Sequence, residues 1–302
     1  MRLAHIHFLW NAVWFFDFWR KPTIPVLVTA HGTDVNNAFE NPNYRGRIRR
    51  ALDAADAIIC VSRFIKERLV ALGCPEDKLI VNPLGVPIPK IEACRGEGRD
   101  RTSSIVNLIC VAALREDKGH RYLLEAVKKV RDSCPGVRLA LVGDGPLRDP
   151  ILRQIRATGL DDCVRLLGWR SEEEVFRLMA ESDICVQPSV RHVVKGECHR
   201  EEGLGLSLVE AAAVGLPLVA TRVGGIPEIC RHGLNGLLSE EKDADAMAGN
   251  ILAFIRDPDM RRRFGGQGRG IARAEFDERT SVDRLESLYE DRIAAAGHRK
   301  RR

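Results

Sequence analysis

Two glutamates, Glu202 and Glu210, bracket the segment Gly203-Leu204-Gly205-Leu206-Ser207-Leu208-Val209. Glycine has no Cβ, so a turn built this way lets a ligand come close to bare backbone. The residues that follow read as a helix carrying Glu210. A helix start offers unpaired N–H groups and a positive dipole end, which suits a phosphate. The two carboxylates are then placed to accept hydrogen bonds from hydroxyls on either side of that phosphate. A diphosphate flanked by two hydroxyl-rich sugars is a nucleotide sugar, and the pattern reads as a donor site for glycosyl transfer.

Something must hold these groups in place. Apolar runs alternate with helical patterns along the chain, which argues for βα units and parallel sheets. Strands are predicted near 3–8, 25–30, 57–61 and 79–81, with helices near 44–54 and 62–72. Residues 88–104 are charged, glycine-containing and poor in apolar side chains, and read as a linker. Further strands are predicted over 105–111, 137–142, 164–167, 184–187, 217–220 and 236–238. From 244 to 296 the pattern gives two or three helices, broken at Asp257-Pro258 and near Gly265-Gly266. The division is therefore 1–92, 93–275, and a C-terminal helix with a basic tail over 276–302. The first part is short for a complete doubly wound domain.

Several motifs fall at the carboxyl ends of predicted strands, where open α/β sheets bind ligands. They are Ala112-Ala113-Leu114-Arg115-Glu116-Asp117-Lys118-Gly119, Gly143-Asp144-Gly145-Pro146, Leu166-Leu167-Gly168-Trp169-Arg170, Gln187-Pro188-Ser189 and Gly215-Leu216-Pro217. The second does not match Gly-x-Gly-x-x-Gly, which weakens an oxidoreductase reading. Together with His31-Gly32-Thr33-Asp34, the Glu202–Glu210 segment and Val223-Gly224-Gly225-Ile226-Pro227-Glu228, the series resembles the retaining glycosyltransferases of family 4. The likeness runs from His31 to about Phe254. Gln187-Pro188-Ser189-Val190 and the loop at 190–201 look most like enzymes of exopolysaccharide or lipopolysaccharide assembly.

The resemblance implies an α/β protein of the GT-B fold: two Rossmann-like domains with parallel sheets facing across a cleft, the first domain here shortened. It implies transfer of a hexose from a nucleoside diphosphate sugar, with retention, to a glycan or lipid-linked glycan acceptor. Glu210 is similar to the glutamate that grips the donor ribose hydroxyls, and Glu202 to the one that faces the transferred sugar. The backbone of Gly203, Leu204, Gly205 and Leu206 would hold sugar and diphosphate. Lys118 matches the lysine that neutralises the leaving diphosphate, and His31 a first-domain histidine that reaches toward the donor sugar. Gly168 joins the donor-side set. The family usually has Gly-Arg-Leu where this chain has Ala112-Ala113-Leu114, and Arg115, two residues on, is the candidate substitute. The family also has strands before the point where this chain begins, so a fragment or a shortened form is expected. A non-catalytic scaffold that binds a nucleotide sugar or a partner enzyme is the rival reading, and a sugar-nucleotide epimerase is the second.

The chain has 302 residues, 45% of them hydrophobic, and a net charge of +5. That is room for about two domains with ordinary cores. No apolar run is long enough to span a membrane. Nine cysteines without a CxxC pair fit a reducing compartment. The location expected is cytoplasmic, peripheral at the inner membrane face. No metal or cofactor beyond the donor is expected, because His192, Cys198 and His199 match no zinc spacing, and no nucleic-acid motif accompanies the basic residues. His5 and His7 share one strand face, where His7 either lines the site or packs. Three of the four tryptophans lie in residues 10–21, with Arg20 and Lys21 at the end. A membrane interface, a helix packed on the sheet and a covered surface all suit that segment. The tail His298-Arg299-Lys300-Arg301-Arg302 reads either as a contact for anionic headgroups or as a solvated terminus.

Overall fold

The computed structural model describes residues 1–19, 22–94, 105–194 and 197–299. Arg20, Lys21, most of the expected linker and Lys300–Arg302 therefore lie outside the described residues, as do the side chains of Cys198 and His199. The chain divides into two units. The first comprises Met1–Gly85, Val193–Leu204 and Glu278–Arg302, and the second Val86–His192 and Gly205–Asp277.

In the first unit, β1 (Ala4–His7), β2 (Val26–Ala30), β3 (Ala57–Cys60) and β4 (Leu79–Val81) form a parallel sheet in chain order. Every residue of β2 and β3 is buried, as parallel strands covered on both faces require. The helices are α1 (Leu9–Phe18), α2 (Thr33–Glu40), α3 (Pro42–Ala54) and α4 (Arg63–Ala71). Asn41 starts α3 by accepting from the N–H groups of Asn43 and Tyr44 at 3.0 and 3.2 Å. Ser62 starts α4 by accepting from Ile65 N–H at 3.1 Å. The last helix of the chain, Glu278–Arg299, belongs to this unit. It lays Leu285, Leu288 and Tyr289 on Leu27, Ala57 and Ile59 of the sheet.

The second unit opens where a linker is expected, and that segment begins instead as a helix, α5 (Ile88–Ala93), because Ile88 and Ile91 fall on one face and are buried. Then come β5 (Val106–Val111), α6 (His120–Ser133), β6 (Val137–Val142), α7 (Arg148–Thr158), β7 (Val164–Gly168), α8 (Glu172–Ala180) and β8 (Ile184–Gln187). Residues 190–201, expected as a loop, hold two short paired strands, β9 (His192–Val194) and β10 (Glu197–Arg200), which from Val193 onward belong to the first unit. The series ends with α9 (Leu206–Val214), β11 (Leu218–Thr221), α10 (Ile226–Ile229), β12 (Gly236–Ser239), α11 (Ala244–Arg256) and α12 (Pro258–Glu275). The helix break expected near Gly265-Gly266 is absent, and α12 runs through it. A Cβ on Gly265 would stand 2.1 Å from the Gly215 carbonyl oxygen, so this glycine serves close packing of α12 on α9. All six strands are parallel, in the order β12-β11-β8-β5-β6-β7. The direction of winding reverses between β5 and β8. That reversal leaves a crevice outside the strand ends, the place where such sheets bind ligands.

Candidate functional site

The loops after β5 and β8 flank this switch point and are locked together. Gly119 adopts φ +65°, and a Cβ there would stand 1.9 Å from the Pro188 carbonyl oxygen. Only glycine allows that approach. Val190 N–H donates to the Asp117 carbonyl oxygen at 2.9 Å. Lys118 sits between these two fixed points, at the end of the 3-10 turn Glu116–Lys118. Arg115 donates to Asp117 through Nε at 3.0 Å and Nη2 at 2.8 Å. Its charge is thus compensated within the loop, and the pairing holds the Asp117 carboxyl below its usual range despite burial. Ala113, where the family usually has arginine, is exposed. The Gly143–Pro146 turn braces the same loop: Leu114 N–H donates to the Asp144 carbonyl at 3.0 Å. The Gly168 carbonyl accepts from Gly143 N–H at 2.9 Å, so Gly168 supports that turn.

On the other side of the switch point, Gly205 opens α9 with φ +92°. The N–H groups of Leu206 and Ser207 have no intrahelical acceptor, whereas Leu208 N–H already donates to the Gly205 carbonyl at 2.9 Å. Glu210 lies one turn further, in a helix where Leu208, Val209 and Ala211–Val214 are all buried. Burial pushes its carboxyl up from 4.5 to about 7, and the negative charge of Glu172 adds to the shift. Glu172 itself is paired with Lys90 at 2.7 Å.

The first unit carries the other candidates. Asp34 is fully buried and accepts from Leu9 N–H at 2.8 Å, His31 N–H at 3.0 Å and Gly32 N–H at 2.8 Å. This carboxylate shapes the turn that presents His31. The segment leading to Glu202 is tied to the same turn. Asn36 Nδ2 donates to the Glu201 carbonyl at 3.0 Å, and Ser62 Oγ donates to the Gly203 carbonyl at 2.6 Å. A Cβ on Gly203 would meet the His31 carbonyl oxygen at 3.2 Å and Gly32 Cα at 3.3 Å. The Glu202-Gly203-Leu204 backbone is therefore held beside His31.

His31 is also part of a histidine column. Its Nε2 lies 3.0 Å from His7 Nδ1, and the His5 and His7 rings are 4.4 Å apart. His5 reaches Thr29 Oγ1 at 2.7 Å and Tyr289 Oη at 2.5 Å. Burial, and then the nearby His7, lower both His5 and His31 to about 4, so both rings are neutral at pH 7. Phe8 packs on His31 with ring centroids 4.3 Å apart. It holds φ +69°, which is strained for a residue with a side chain.

The structure thus gathers His31, Glu202, Gly203 and Leu204 in the first unit, and Lys118, Arg115, Glu210, Gly205, Leu206 and Gly168 in the second. Sequence reasoning missed the supporting residues: Asp34 as a backbone acceptor, Ser62 and Asn36 as ties, and Phe8. Asp34, three residues after His31 and at a helix start, carried the one readable signal. Among the described residues no group of three or more His, Cys, Asp or Glu is placed to hold a metal. No helix among them is long and apolar enough to cross a membrane.

Comparison with known proteins agrees with this fold. The sequence profile of glycosyl transferases group 1 matches residues 104–270, and that of Glycosyltransferase Family 4 matches residues 2–89. The amylovoran biosynthesis glycosyltransferase AmsK of Erwinia amylovora is 31% identical over 222 residues, 74% of this chain and 53% of its own length. The chain therefore spans about half of that relative. Sucrose-phosphate synthase from Thermosynechococcus elongatus superposes with a TM-score of 0.81 at 22% identity, over 97% of this chain and 74% of its own. Anabaena HepE, solved in complex with UDP, gives 0.79 at 21% identity, over 96% and 79%. Both neighbours have the GT-B fold, and the two parallel sheets described above conform to it.

Proposed function

The chain belongs to the glycosyl transferases group 1 family, and on that premise we propose that it moves a hexose from a nucleoside diphosphate sugar to a glycan or lipid-linked glycan acceptor, with retention. The observation that carries this reading is the pair of loops at the switch point of the second unit, one bearing Lys118 and the other leading into Gly205, Leu206 and Glu210. The Glu210 carboxylate accepts from the donor ribose hydroxyls. The first N–H groups of α9 and the Lys118 ammonium face the diphosphate. Breaking the sugar–phosphate bond builds negative charge there. A fixed cation and a helix N-terminus stabilise that charge more in the transition state than in the ground state. The reaction so drawn needs no metal. Glu202 and His31 are assigned to the transferred sugar by their motifs, and Glu202 acts without becoming a hydrolase-type nucleophile. Participation of AmsK in amylovoran biosynthesis supports a glycan acceptor, and a lipid-linked acceptor would put the reaction at a membrane face.

The test is a transfer assay with labelled UDP-, GDP- and ADP-hexoses, with and without lipid-linked oligosaccharide. Acceptor-dependent product with the donor's anomeric configuration is expected, and its loss in Lys118→Ala and Glu210→Ala. Near-normal turnover in both variants would sink the assignment. The exposed Ala113 favours the scaffold reading, which predicts nucleotide binding without transfer. Product from donor alone would point to an epimerase.

A further inference from the structure

Helices α2, α3 and α4 of the first unit line a second polar site, open to solvent, that the donor chemistry does not use. It is a cavity of about 640 Å³ whose lining includes Phe39, Arg45, Arg49, Arg68 and Gly73. We propose that it binds an organic phosphate or diphosphate.

Arg68 is largely buried, whereas Arg45 and Arg49 are exposed at the mouth of the site. The Arg68 guanidinium lies 3.8 Å from the centre of the Phe39 ring, and that of Arg45 lies 5.6 Å from it. Arg45 is further anchored by Nε, which donates to the Ala38 carbonyl at 3.0 Å. Arg49 rests against bare backbone: a Cβ on Gly73 would stand 3.3 Å from its Cζ, and Gly73 holds φ +86°. Arg68 is 12% exposed, and its Nε is buried with no hydrogen-bond partner. The carboxylate that reaches this group among the described residues is Glu201, 3.8 Å from Arg68. Among the described residues, three cations face one carboxylate, a surplus of two positive charges.

Like charges confined in one cavity repel, and a dianion between them relieves the repulsion. A phosphate monoester carries about −1.5 to −2 at pH 7, which matches the surplus. Its oxygens also suit the planar fork of arginine, which donates two parallel hydrogen bonds to such groups. The cavity is larger than the anion alone needs and falls in the size range of small-molecule sites. Ala71 and Leu72 add an apolar wall for the group that the phosphate carries. Such a phosphate comes either from a lipid headgroup or from a soluble phosphorylated compound.

The full chain would be titrated with pyrophosphate and with glycerol 3-phosphate by calorimetry, with hydrogen exchange to locate the protection. Lys118→Ala removes the anion contact of the donor loop, and Arg49→Gln removes one wall of the new site. The expected result is binding that survives Lys118→Ala and weakens roughly tenfold or more in Arg49→Gln. Protection should fall on residues 38–49 and 66–73. Arg49→Lys, which keeps the charge and loses the fork, should fall between, and an unchanged melting temperature shows the variant is folded. Sedimentation with vesicles containing phosphatidic acid, lost in Arg49→Gln, assigns a lipid-borne phosphate. Binding of glycerol 3-phosphate without vesicle binding assigns a soluble one. No binding to the wild-type chain, binding abolished by Lys118→Ala alone, or protection confined to the second unit overturns the proposal.

Discussion

Glu210→Gln should stabilise the protein while abolishing its grip on the donor. Burial holds this carboxyl at about 7 in the folded chain, against 4.5 ordinarily. The sign follows from proton binding. Below pH 4.5 the group is protonated folded and unfolded alike, and it contributes nothing. Between 4.5 and 7 the unfolded chain ionises first, so the folded state is progressively disfavoured. Above 7 the penalty is complete. At 1.36 kcal/mol per tenfold it reaches about 3 kcal/mol, an upper bound because water reaches part of the side chain. Glutamine keeps the shape and removes the charge. The variant should therefore melt several degrees above wild type at pH 8, with the gain gone by pH 4.5. The assay is differential scanning calorimetry across that range, beside a nucleotide titration. A buried charge retained at a cost to stability is what a binding role would maintain. An equal or lower melting temperature for Glu210→Gln at pH 8 would refute the argument.

The remaining predictions concern the framework of the site. Gly119→Ala, which forces a Cβ to within 1.9 Å of the Pro188 oxygen, should cost roughly 3 kcal/mol or more in urea unfolding, whereas Gly203→Ala, tight by a few tenths of an ångström, should cost about 1 kcal/mol. Equal costs would contradict the packing described. Asp34→Asn keeps one acceptor oxygen where two now serve three N–H groups, and should lose about 1–3 kcal/mol together with protection of the His31 and Gly32 amides from hydrogen exchange. His7→Ala removes the neighbouring ring and should raise the His31 pKa from about 4, with burial still holding it under 6.5, as read by NMR titration. An unmoved His31 would show the column is not coupled.

Much of this was legible before the structure. The short apolar runs that form β2 and β3 alternate with helical patterns, so they could be read as strands of a parallel sheet. Lys118 and Glu210 were placed by motif, and the parallel sheet then gave a physical reason for the placement at its switch point. What stayed hidden depends on tertiary contact. Ile88 and Ile91 make α5 a helix only because something covers them. The glycines of α12 read as a break, since their use against Gly215 is visible only once the two helices meet. The ties from Ser62 and Asn36 to Gly203 and Glu201 join residues about 140 and 165 positions apart, a separation at which spacing carries no information. The neutral state of His31 likewise comes from burial beside His7.

The account rests on a nucleoside diphosphate sugar bound by Lys118 and Glu210. Its most direct test is a thermal-shift titration of the wild-type chain, Lys118→Ala and Glu210→Ala against UDP, GDP, ADP and their hexose conjugates. A ligand that binds only the folded state must raise the melting temperature. The account predicts a saturable rise with one nucleotide family in wild type and its loss in both variants. No rise with any of them, or the same rise in all three proteins, would contradict it.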